Sequence, residues 1–386
     1  MSEDWDVIVV GAGPAGAAAA FDLARANRSV LLVDRSEFPR TKACAGGLTI
    51  KALRALRYSV APVVRHVCHD VVVSLAGRTI RQLRGPGPVV AMTVRAELDE
   101  FCLNRTLAEG ATFRRVRRID AIESSLSGVA LVTSEGELRA RHVVGADGAN
   151  SRIRKLSGEF PEARLAFALE VCTPLPAGPR PEMEFEFGVV PAGYGWIFPK
   201  DDHLNIGLYS IAPEHGITRA RLSEYVERRT GQAPSERSVG HAMGIAGRRY
   251  VPRHPRVRLA GDAAGLVEPM LGEGLHNAIV SGQAAARAIL EASARDELTP
   301  EVPRLHDRLL EPIRRDVGLC ERAATHFYRR PGVGARALAT LPVRYPLMKG
   351  FACGLTVDRI RRSLVGLPFR RVAPVTELDA SAAGVA

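Results

Sequence analysis

The fold is decided by the stretch Asp6-Val7-Ile8-Val9-Val10-Gly11-Ala12-Gly13-Pro14-Ala15-Gly16. Its first residues are apolar and mostly β-branched, which predicts a buried parallel strand. The GxGxxG sequence leads into a helical run at residues 17–26, and residues 29–33 predict a second strand that ends at Asp34. Strand, glycine-rich turn, helix, strand and acid within about 30 residues form the context in which this motif binds a dinucleotide.

Each residue type in this motif has a physical role. Gly11 permits the tight turn, Gly13 allows the backbone to approach a pyrophosphate, and Gly16 allows the helix to pack closely on the strand. The positive end of the helix then faces the phosphates, while Asp34 accepts hydrogen bonds from the adenosine ribose. The motif alone does not distinguish FAD from NAD(P).

Two later segments make that distinction. Residues 141–154 predict an apolar strand that runs into GADGxxSxxR, and residues 257–262 predict a strand that ends in Gly-Asp. Asp262 can hold a ribityl hydroxyl. The turn Gly272-Glu273-Gly274-Leu275 opens a long helix, so its amides can face the flavin's N1–C2=O edge. Either segment alone is compatible with an ordinary glycine turn; all three in this order favour FAD.

With these segments the sequence resembles the FAD-dependent oxidoreductases of the para-hydroxybenzoate hydroxylase type, over residues 1 to about 295. The resemblance includes an RxxxD segment at residues 95–99. It implies that Arg95 contacts the FAD phosphates or ribityl chain, whereas the alternative is a solvated arginine at a helix start. It also implies adenine contacts from the backbone near Arg118, and it adds Ala15 and Arg35 to the cofactor-binding residues.

Two more segments resemble the geranylgeranyl reductase family within this group. Residues 39–47 look like its PxxKxCxGG loop, and residues 191–199 match its PxxYxWxFP segment. The resemblance implies that the first loop wraps the flavin, with contacts from Cys44, Ala45 and Gly47. For the Cys44 side chain three interpretations stay open: an inert buried thiol, a bystander to a backbone contact, or an acid or redox-active group beside the flavin.

The second segment concentrates aromatic rings. Tyr194, Trp196 and Phe198 alternate, so they share one face of a strand. The chain has only two Trp and 5% aromatic residues, so this grouping is unusual, although a plain sheet core also explains it. Aromatic walls suit a polyisoprenoid chain and can stabilise positive charge on an alkene carbon. We therefore predict substrate contacts from these three residues and Pro199, and catalytic roles for Cys44, Tyr194 and Trp196.

The expected activity is saturation of isoprenoid C=C bonds of a geranylgeranyl or polyprenyl lipid or a quinone side chain. Reduced FAD would deliver hydride from N5, and Cys44 or Tyr194 would supply the proton. No second GxGxxG is present, so we expect NAD(P)H to bind transiently or another reductant to act. The alternatives are a flavin-dependent monooxygenase or halogenase on an aromatic substrate, and an electron-relay flavoprotein to quinone. Halogenases carry Trp-x-Trp-x-Ile, and the residues here favour the reductases.

The predicted fold class is α/β, with three parts. A Rossmann-like FAD-binding domain comprises residues 1–60, 93–160 and 246–300. An antiparallel β-sheet substrate domain comprises residues 61–92 and 161–245, which we interpret as strands with turns. Residues 301–386 form a C-terminal helical, basic segment, helical at least over 301–328.

Charge is concentrated in that last part. The 386 residues carry a net charge of +11, yet residues 329–372 contain ten cations and a single acid, Asp358. Apolar stretches are interleaved with the cations, which is typical of a segment that contacts a membrane surface and equally compatible with a closing subdomain whose arginines are solvated. The tail, residues 373–386, is expected to be frayed. No nucleic-acid-binding module is visible, so nucleic acid is not an expected partner.

Cysteine usage and the N-terminus indicate the compartment. The six cysteines form no CxxC pair, and no second ligand cluster accompanies His66-Val67-Cys68-His69, so neither a disulfide framework nor a metal site is expected. The N-terminus carries acids where a signal peptide needs cations, and no apolar run reaches about 20 residues. We expect a cytoplasmic protein that is soluble or peripheral to the inner face of the membrane.

Overall fold

The structure, a computed structural model, describes residues 4–125, 127–294 and 301–364. Its strands, in chain order, are β1 (Asp4–Val10), β2 (Val30–Asp34), β3 (Gly47–Thr49), β4 (Val64–Cys68), β5 (Asp70–Leu75), β6 (Arg78–Arg84), β7 (Val90–Thr93), β8 (Thr112–Arg115), β9 (Ile119–Ser124), β10 (Val129–Thr133), β11 (Gly136–Gly145), β12 (Arg164–Pro174), β13 (Met183–Phe187), β14 (Gly193–Pro199), β15 (His203–Ser210), β16 (Val239–Ile245) and β17 (Val257–Leu259). Its α-helices are α1 (Pro14–Arg25), α2 (Ile50–Ala55), α3 (Arg95–Ala108), α4 (Arg152–Ser157), α5 (Arg219–Thr230), α6 (Leu275–Ala294), α7 (Glu301–Arg329), α8 (Pro331–Ala339), α9 (Leu341–Ala352) and α10 (Val357–Leu364).

The first sheet is built around the strand that the opening stretch predicted. Its order is β8-β2-β1-β11-β10-β9, and β17 pairs with the end of β11. Strands β8, β2, β1, β11 and β17 are parallel, whereas β10 is antiparallel to both its neighbours. Both faces of β1 are buried: Ile8 and Val10 lie in one core, Val7 and Val9 in another. Helices α1 and α6 pack on each other beside the second core, which confirms the Rossmann-like fold.

The second sheet has the order β16-β12-β15-β14-β13-β5-β6. Its pairs are antiparallel except for β5 and β13, which run parallel. That pair joins two chain segments far apart in sequence, so no hairpin turn imposes an antiparallel direction. A third, small sheet has the order β3-β7-β4. The domain boundaries given above stay a prediction.

One helix lies where only strands and turns were predicted. Residues Arg219–Thr230 form α5, so the strand interpretation of residues 160–245 is wrong there. Leu222, Tyr225 and Val226 are buried at helical spacing, the Thr218 hydroxyl accepts a hydrogen bond from a first-turn amide, and Gly231 ends the helix in the left-handed conformation. The spacing and the two caps are local signals for a helix. Helix α5 packs against β12 and β15.

The C-terminal segment is helical as predicted, from α7 to α10. Helix α8 packs against β5, β6 and β13 of the second sheet, and α10 packs against α7. The last part of the predicted basic segment, with Arg370 and Arg371, lies outside the described residues, and so does the tail at residues 373–386.

Two features are absent from the residues that the structure describes. None of their helices is both long and apolar enough to cross a membrane. None of their His, Cys, Asp and Glu side chains form a group of three or more suited to hold a metal ion.

Candidate active site

The three predicted cofactor segments meet at the carboxyl edge of the first sheet. Gly11 has a φ of +100°, and a Cβ there would lie 2.4 Å from the carbonyl oxygen of Ala146. A Cβ at Gly16 would lie 1.7 Å from the carbonyl oxygen of Gly11. The amide of Ala260 donates to the carbonyl of Gly145 at 3.0 Å, which brings in the third segment. Only glycine fits at residues 11 and 16, because the backbones touch there.

The start of α1 is suited to a diphosphate. Gly13 caps the helix without a side-chain hydrogen bond, so the first amides of α1 stay open to an anion. The Nη2 atom of Arg40 lies 3.4 Å from the position of a Cβ at residue 13 and 3.1 Å from Asp99 Oδ2. The buried Nε of Arg40 has no partner among the described residues. These features fit the diphosphate of FAD, and Arg40 was not predicted from the sequence. Ala15 is buried and lies 3.0 Å from the position of a Cβ at Gly261.

Asp34 ends β2 beside the glycine-rich turn. Its Oδ2 accepts from the amide of Ala12 and its Oδ1 from the amide of Ser36, both at 2.9 Å. These bonds orient the carboxylate at the mouth of the turn, where a ribose is expected. The next residue, Arg35, is exposed.

Arg118 lies further along this edge, on the connection from β8 to β9. Two residues earlier, the amide of Val116 donates to the carbonyl of Asp34 at 2.8 Å. The Arg118 side chain is exposed, with Nε 2.7 Å from Asp120 Oδ1, so only its backbone remains as an adenine contact.

Arg95 is buried at the start of α3. Its Nε and Nη2 donate to the two oxygens of Asp99 at 2.8 and 2.7 Å. Burial alone would lower the pKa of Arg95, but Asp99 and the hydrogen-bonded Cys44 outweigh burial and raise it. The structure thus rules out a solvated arginine and places a fixed positive charge beside Cys44.

The Cys44 loop, residues 44–47, is held by two buried charged side chains of the second sheet. The amide of Cys44 donates to Glu170 Oε1 at 2.8 Å, and Lys200 Nζ donates to the carbonyl of Ala45 at 2.6 Å. Burial raises the pKa of Glu170 and lowers the pKa of Lys200 to about 8. Neither residue was predicted; the available signals were an acid inside the apolar strand β12 and a lysine directly after β14.

The same loop contacts the aromatic strand. Gly46 has a φ of +71°, and its carbonyl accepts from the amide and the hydroxyl of Thr93 at 2.8 and 2.9 Å. A Cβ at Gly47 would lie 3.1 Å from Phe198 Cε2. The predicted flavin loop and the predicted substrate face are therefore neighbours.

Tyr194, Trp196 and Phe198 share one side of β14, as predicted. The ring centroids of Tyr194 and Trp196 are 6.2 Å apart. Trp196 Nε1 donates to Asn205 Oδ1 at 2.7 Å. Tyr194, Trp196 and Pro199 are buried, which also fits an ordinary core, whereas Phe198 is only half-buried. Phe198 is thus the ring of this face that remains accessible beside the Cys44 loop.

The turn before α6 approaches Asp262. A Cβ at Gly274 would lie 3.8 Å from Asp262 Oδ1, and Leu275 begins the helix. Tyr194 donates its hydroxyl hydrogen to the carbonyl of Leu271, next to Gly272 in this turn. Burial raises the pKa of Asp262.

Lys42 forms a partly buried pair that was not predicted. Its Nζ lies 2.9 Å from Nε2 of His241 on β16. Burial, followed by the charge of Arg95, lowers the pKa of Lys42 to about 8. Burial, followed by Lys42, lowers the pKa of His241 to about 3, so His241 is the neutral acceptor at pH 7. The pair supplies a second positive charge near Asp262.

Comparisons with known proteins agree with this geometry. A family model described as an FAD binding domain matches residues 4–164. A menaquinone reductase of Mycolicibacterium smegmatis is 31% identical over 77% of this chain and 79% of its own length. A geranylgeranyl diphosphate reductase of Rhodobacter capsulatus is 30% identical over 74% of this chain and 75% of its own length.

Solved structures show the same fold. A geranylgeranyl bacteriochlorophyll reductase-like protein of Thermoplasma acidophilum superposes with a TM-score of 0.79 at 21% identity, over 88% of this chain and 91% of that chain. A flavin-dependent brominase shares the fold with a TM-score of 0.71 at 16% identity, over 94% of this chain and 98% of that chain. From its relatives and its fold, the chain belongs to the geranylgeranyl reductase family of FAD-dependent oxidoreductases.

Proposed function

We propose that this protein saturates isoprenoid C=C bonds of a geranylgeranyl or polyprenyl lipid or of a quinone side chain. The contact between Phe198 and Gly47 carries the proposal, because it puts an aromatic face directly beside the loop expected to wrap the flavin. Two relatives support it, since one is named for menaquinone and the other for geranylgeranyl diphosphate. Electrons would come from NAD(P)H or another reductant.

An unactivated alkene accepts hydride only if a proton reaches its other carbon, since no neighbouring group takes up the charge. Bound FAD in its reduced form supplies the hydride from N5. The residues of the chain orient the alkene, exclude water and stabilise positive charge on the tertiary carbon through the faces of Tyr194, Trp196 and Phe198. One hydride and one proton then saturate one double bond.

The proton donor that the contacts favour is Cys44. Tyr194 already donates its hydrogen to the carbonyl of Leu271, and burial raises its pKa well above the usual value. The Cys44 thiol is half-buried, and its sulfur accepts hydrogen bonds from the amide of Gly46 at 3.4 Å and from the Arg95 side chain. Its own hydrogen is therefore available to the substrate side.

The decisive experiment is anaerobic. The FAD-bound protein is reduced, mixed with geranylgeranyl diphosphate, a geranylgeranyl lipid or menaquinone, and the product is analysed by mass spectrometry in H2O and D2O. We expect a mass gain of two hydrogens per bond; in D2O both are deuterium, because the hydrogen on N5 of reduced flavin exchanges with the solvent before it is transferred. Reoxidation by quinone without a saturated product would show an electron relay, and a strict need for oxygen would show a monooxygenase or halogenase.

We also propose that α8 and α9 contact a membrane surface, which would be the inner face of the cytoplasmic membrane. Their inner side, with Ala335, Met348 and Ala352, packs in the core of the second sheet, so the helices do close that sheet. Their outer side exposes 62% of Leu341 and 60% of Tyr345.

Cations accompany these exposed apolar side chains. Arg329, Arg330 and Arg336 are exposed and make no ion pair with any other described residue. Unpaired cations and exposed apolar groups within one stretch of the chain, residues 329–345, suit a surface of anionic lipid, where both the charge and the apolar area contribute. A lipid-borne substrate would reach the site from such a surface.

A further inference from the structure

Three tyrosines, of which Tyr194 and Tyr209 are buried and Tyr328 is half-buried, donate to three successive carbonyls just before the turn expected to face the flavin. Tyr209 donates to Pro269 at 3.1 Å, Tyr328 donates to Met270, and Tyr194 donates to Leu271. The three phenols come from β15, α7 and β14, so two strands of the second sheet and helix α7 converge on one short segment. We call residues 268–271 with these phenols the tyrosine clamp.

The amides of the same segment are held by one carboxylate. Glu268 is buried; its Oε2 accepts from Met270 at 2.8 Å, and its Oε1 accepts from Leu271 at 2.7 Å and Glu273 at 3.3 Å. Proline at 269 has no amide hydrogen to place. Every backbone polar group of residues 269–271 is thus bonded to a side chain, which leaves these residues little freedom.

The clamp is joined directly to the residues that are expected to meet the flavin. Gly272 has a φ of +69°, and a Cβ there would lie 3.2 Å from the ring of Tyr209. Gly274 and Leu275 follow at the start of α6, where amides attract negative charge. A shift of residues 269–271 would therefore move these amides.

We propose that Tyr209 and Tyr328, together with Tyr194, are positioning residues for the flavin. They hold the carbonyls of residues 269–271 and thereby aim the amides of Gly274 and Leu275 at the N1–C2=O edge, where negative charge collects on reduced FAD. Through Tyr328, the C-terminal helices contribute to the affinity of the protein for FAD electrons. This inference rests on the FAD part of the proposed function and not on the identity of the alkene.

The test removes single hydroxyls. Tyr209→Phe and Tyr328→Phe each delete one donor. Tyr225→Phe is the matched control because Tyr225 is buried like Tyr209 but its hydroxyl has no partner among the described residues. Loss of one buried hydrogen bond typically changes an equilibrium constant by about two- to tenfold. We expect amide hydrogen exchange in residues 268–276 of the FAD-free protein to speed up by that factor in both variants.

The second readout is the reduction potential of bound FAD. It should shift to more negative values in Tyr209→Phe and Tyr328→Phe, and stay at the wild-type value in Tyr225→Phe. The positioning role would be overturned if both variants kept the wild-type rate of amide hydrogen exchange and the wild-type reduction potential of FAD, even with a lowered melting temperature. Neither readout involves an alkene, so the inference can fail while isoprenoid reduction stands, and the reverse.

Discussion

Lys200 reaches from the end of β14 to the carbonyl of Ala45, with Nζ 2.6 Å from the oxygen. The loop that the sequence assigns to the flavin is therefore held by a buried ammonium group from the sheet assigned to the substrate. The flanking bond from Cys44 to Glu170 has the same origin. The loop expected to contact the flavin is thus fixed to the sheet expected to bind the substrate.

Replacing this lysine should weaken FAD binding more than folding. In Lys200→Met the Ala45 carbonyl loses its donor, which costs about 1–3 kcal/mol at the loop, but the desolvated charge also disappears. We expect the FAD dissociation constant to rise about tenfold, with a smaller change in the free energy of unfolding. Flavin fluorescence titration measures the first, and urea unfolding the second. Lys155→Met, at an exposed lysine, should match the wild type; equal FAD affinity in both variants would refute the role of Lys200.

The Lys42–His241 pair predicts a pH dependence of stability. The pKa of Lys42 is about 8 in the folded protein against a usual 10.5. Below pH 8 Lys42 is protonated in both the folded and the unfolded protein. Between about pH 8 and 10.5 only the unfolded chain keeps this proton. Lys42 therefore makes the free energy of unfolding rise with pH in that range, by at most about 1.4 kcal/mol per pH unit. Urea unfolding of the FAD-free wild type and of Lys42→Met at pH 7 to 10 should show that the free energy of unfolding of the wild type increases with pH relative to that of the variant. A difference that stays constant over this range would contradict a buried ammonium.

Gly207 provides the space for Trp196. A Cβ at residue 207 would lie 2.2 Å from Trp196 Cζ2, so Gly207→Ala must displace the indole ring. Overpacking of this kind costs about 1–3 kcal/mol, and the disturbed aromatic face should slow alkene reduction while FAD stays bound. Since the chain has two Trp, a changed Trp emission spectrum reports the movement directly. Gly318→Ala in α7 is the control, because its nearest neighbour is a flexible Arg248 side chain at 3.5 Å; a wild-type spectrum and rate in Gly207→Ala would refute the prediction.

Membrane binding through the outer side of α8 and α9 should depend separately on its positive charge and on its exposed apolar area. Neutralising Arg329, Arg330 and Arg336 to Gln should weaken binding to anionic liposomes, at about 1 kcal/mol per cation in low salt. Leu341→Ser with Tyr345→Ser should weaken it in high salt as well, because apolar insertion is not screened. FAD content should stay unchanged in both. Leu165→Ser is the control, because Leu165 is an apolar residue that is 46% exposed and lies outside this surface. An equally large loss of liposome binding in Leu165→Ser would argue against a specific membrane face.

The half of the site nearest to β1 was predictable because its signals are local. Gly11, Gly16 and Asp34 lie within one strand-helix-strand unit, and their spacing in that context predicts a dinucleotide turn. Arg95 and its partner Asp99 are four residues apart, so that pair is also local. Helix α5 had local signals as well, in its caps and spacing, and was missed because the surrounding region is rich in strands.

The side chains that hold the loops of the site in place could not be predicted in the same way. Glu170 meets Cys44 across 126 residues and Lys200 meets Ala45 across 155 residues, so neither contact leaves a periodic pattern in the sequence. The phenols of the tyrosine clamp come from three separate elements and bond to backbone carbonyls, which every residue carries. Such contacts become visible only when the sheet order is known.

The pairing of β1 has a consequence for synthesis on the ribosome. One edge of β1 pairs with β2, only about 20 residues later, but the other edge pairs with β11 at Gly136–Gly145. At ~5–20 residues per second, the nascent chain exposes that apolar strand edge for on the order of ten seconds before its partner is made. The turn before α6 emerges later still, so the predicted FAD site cannot be complete until residue 275 has been made, and the free edge of β1 stays open to wrong pairing until β11 has emerged.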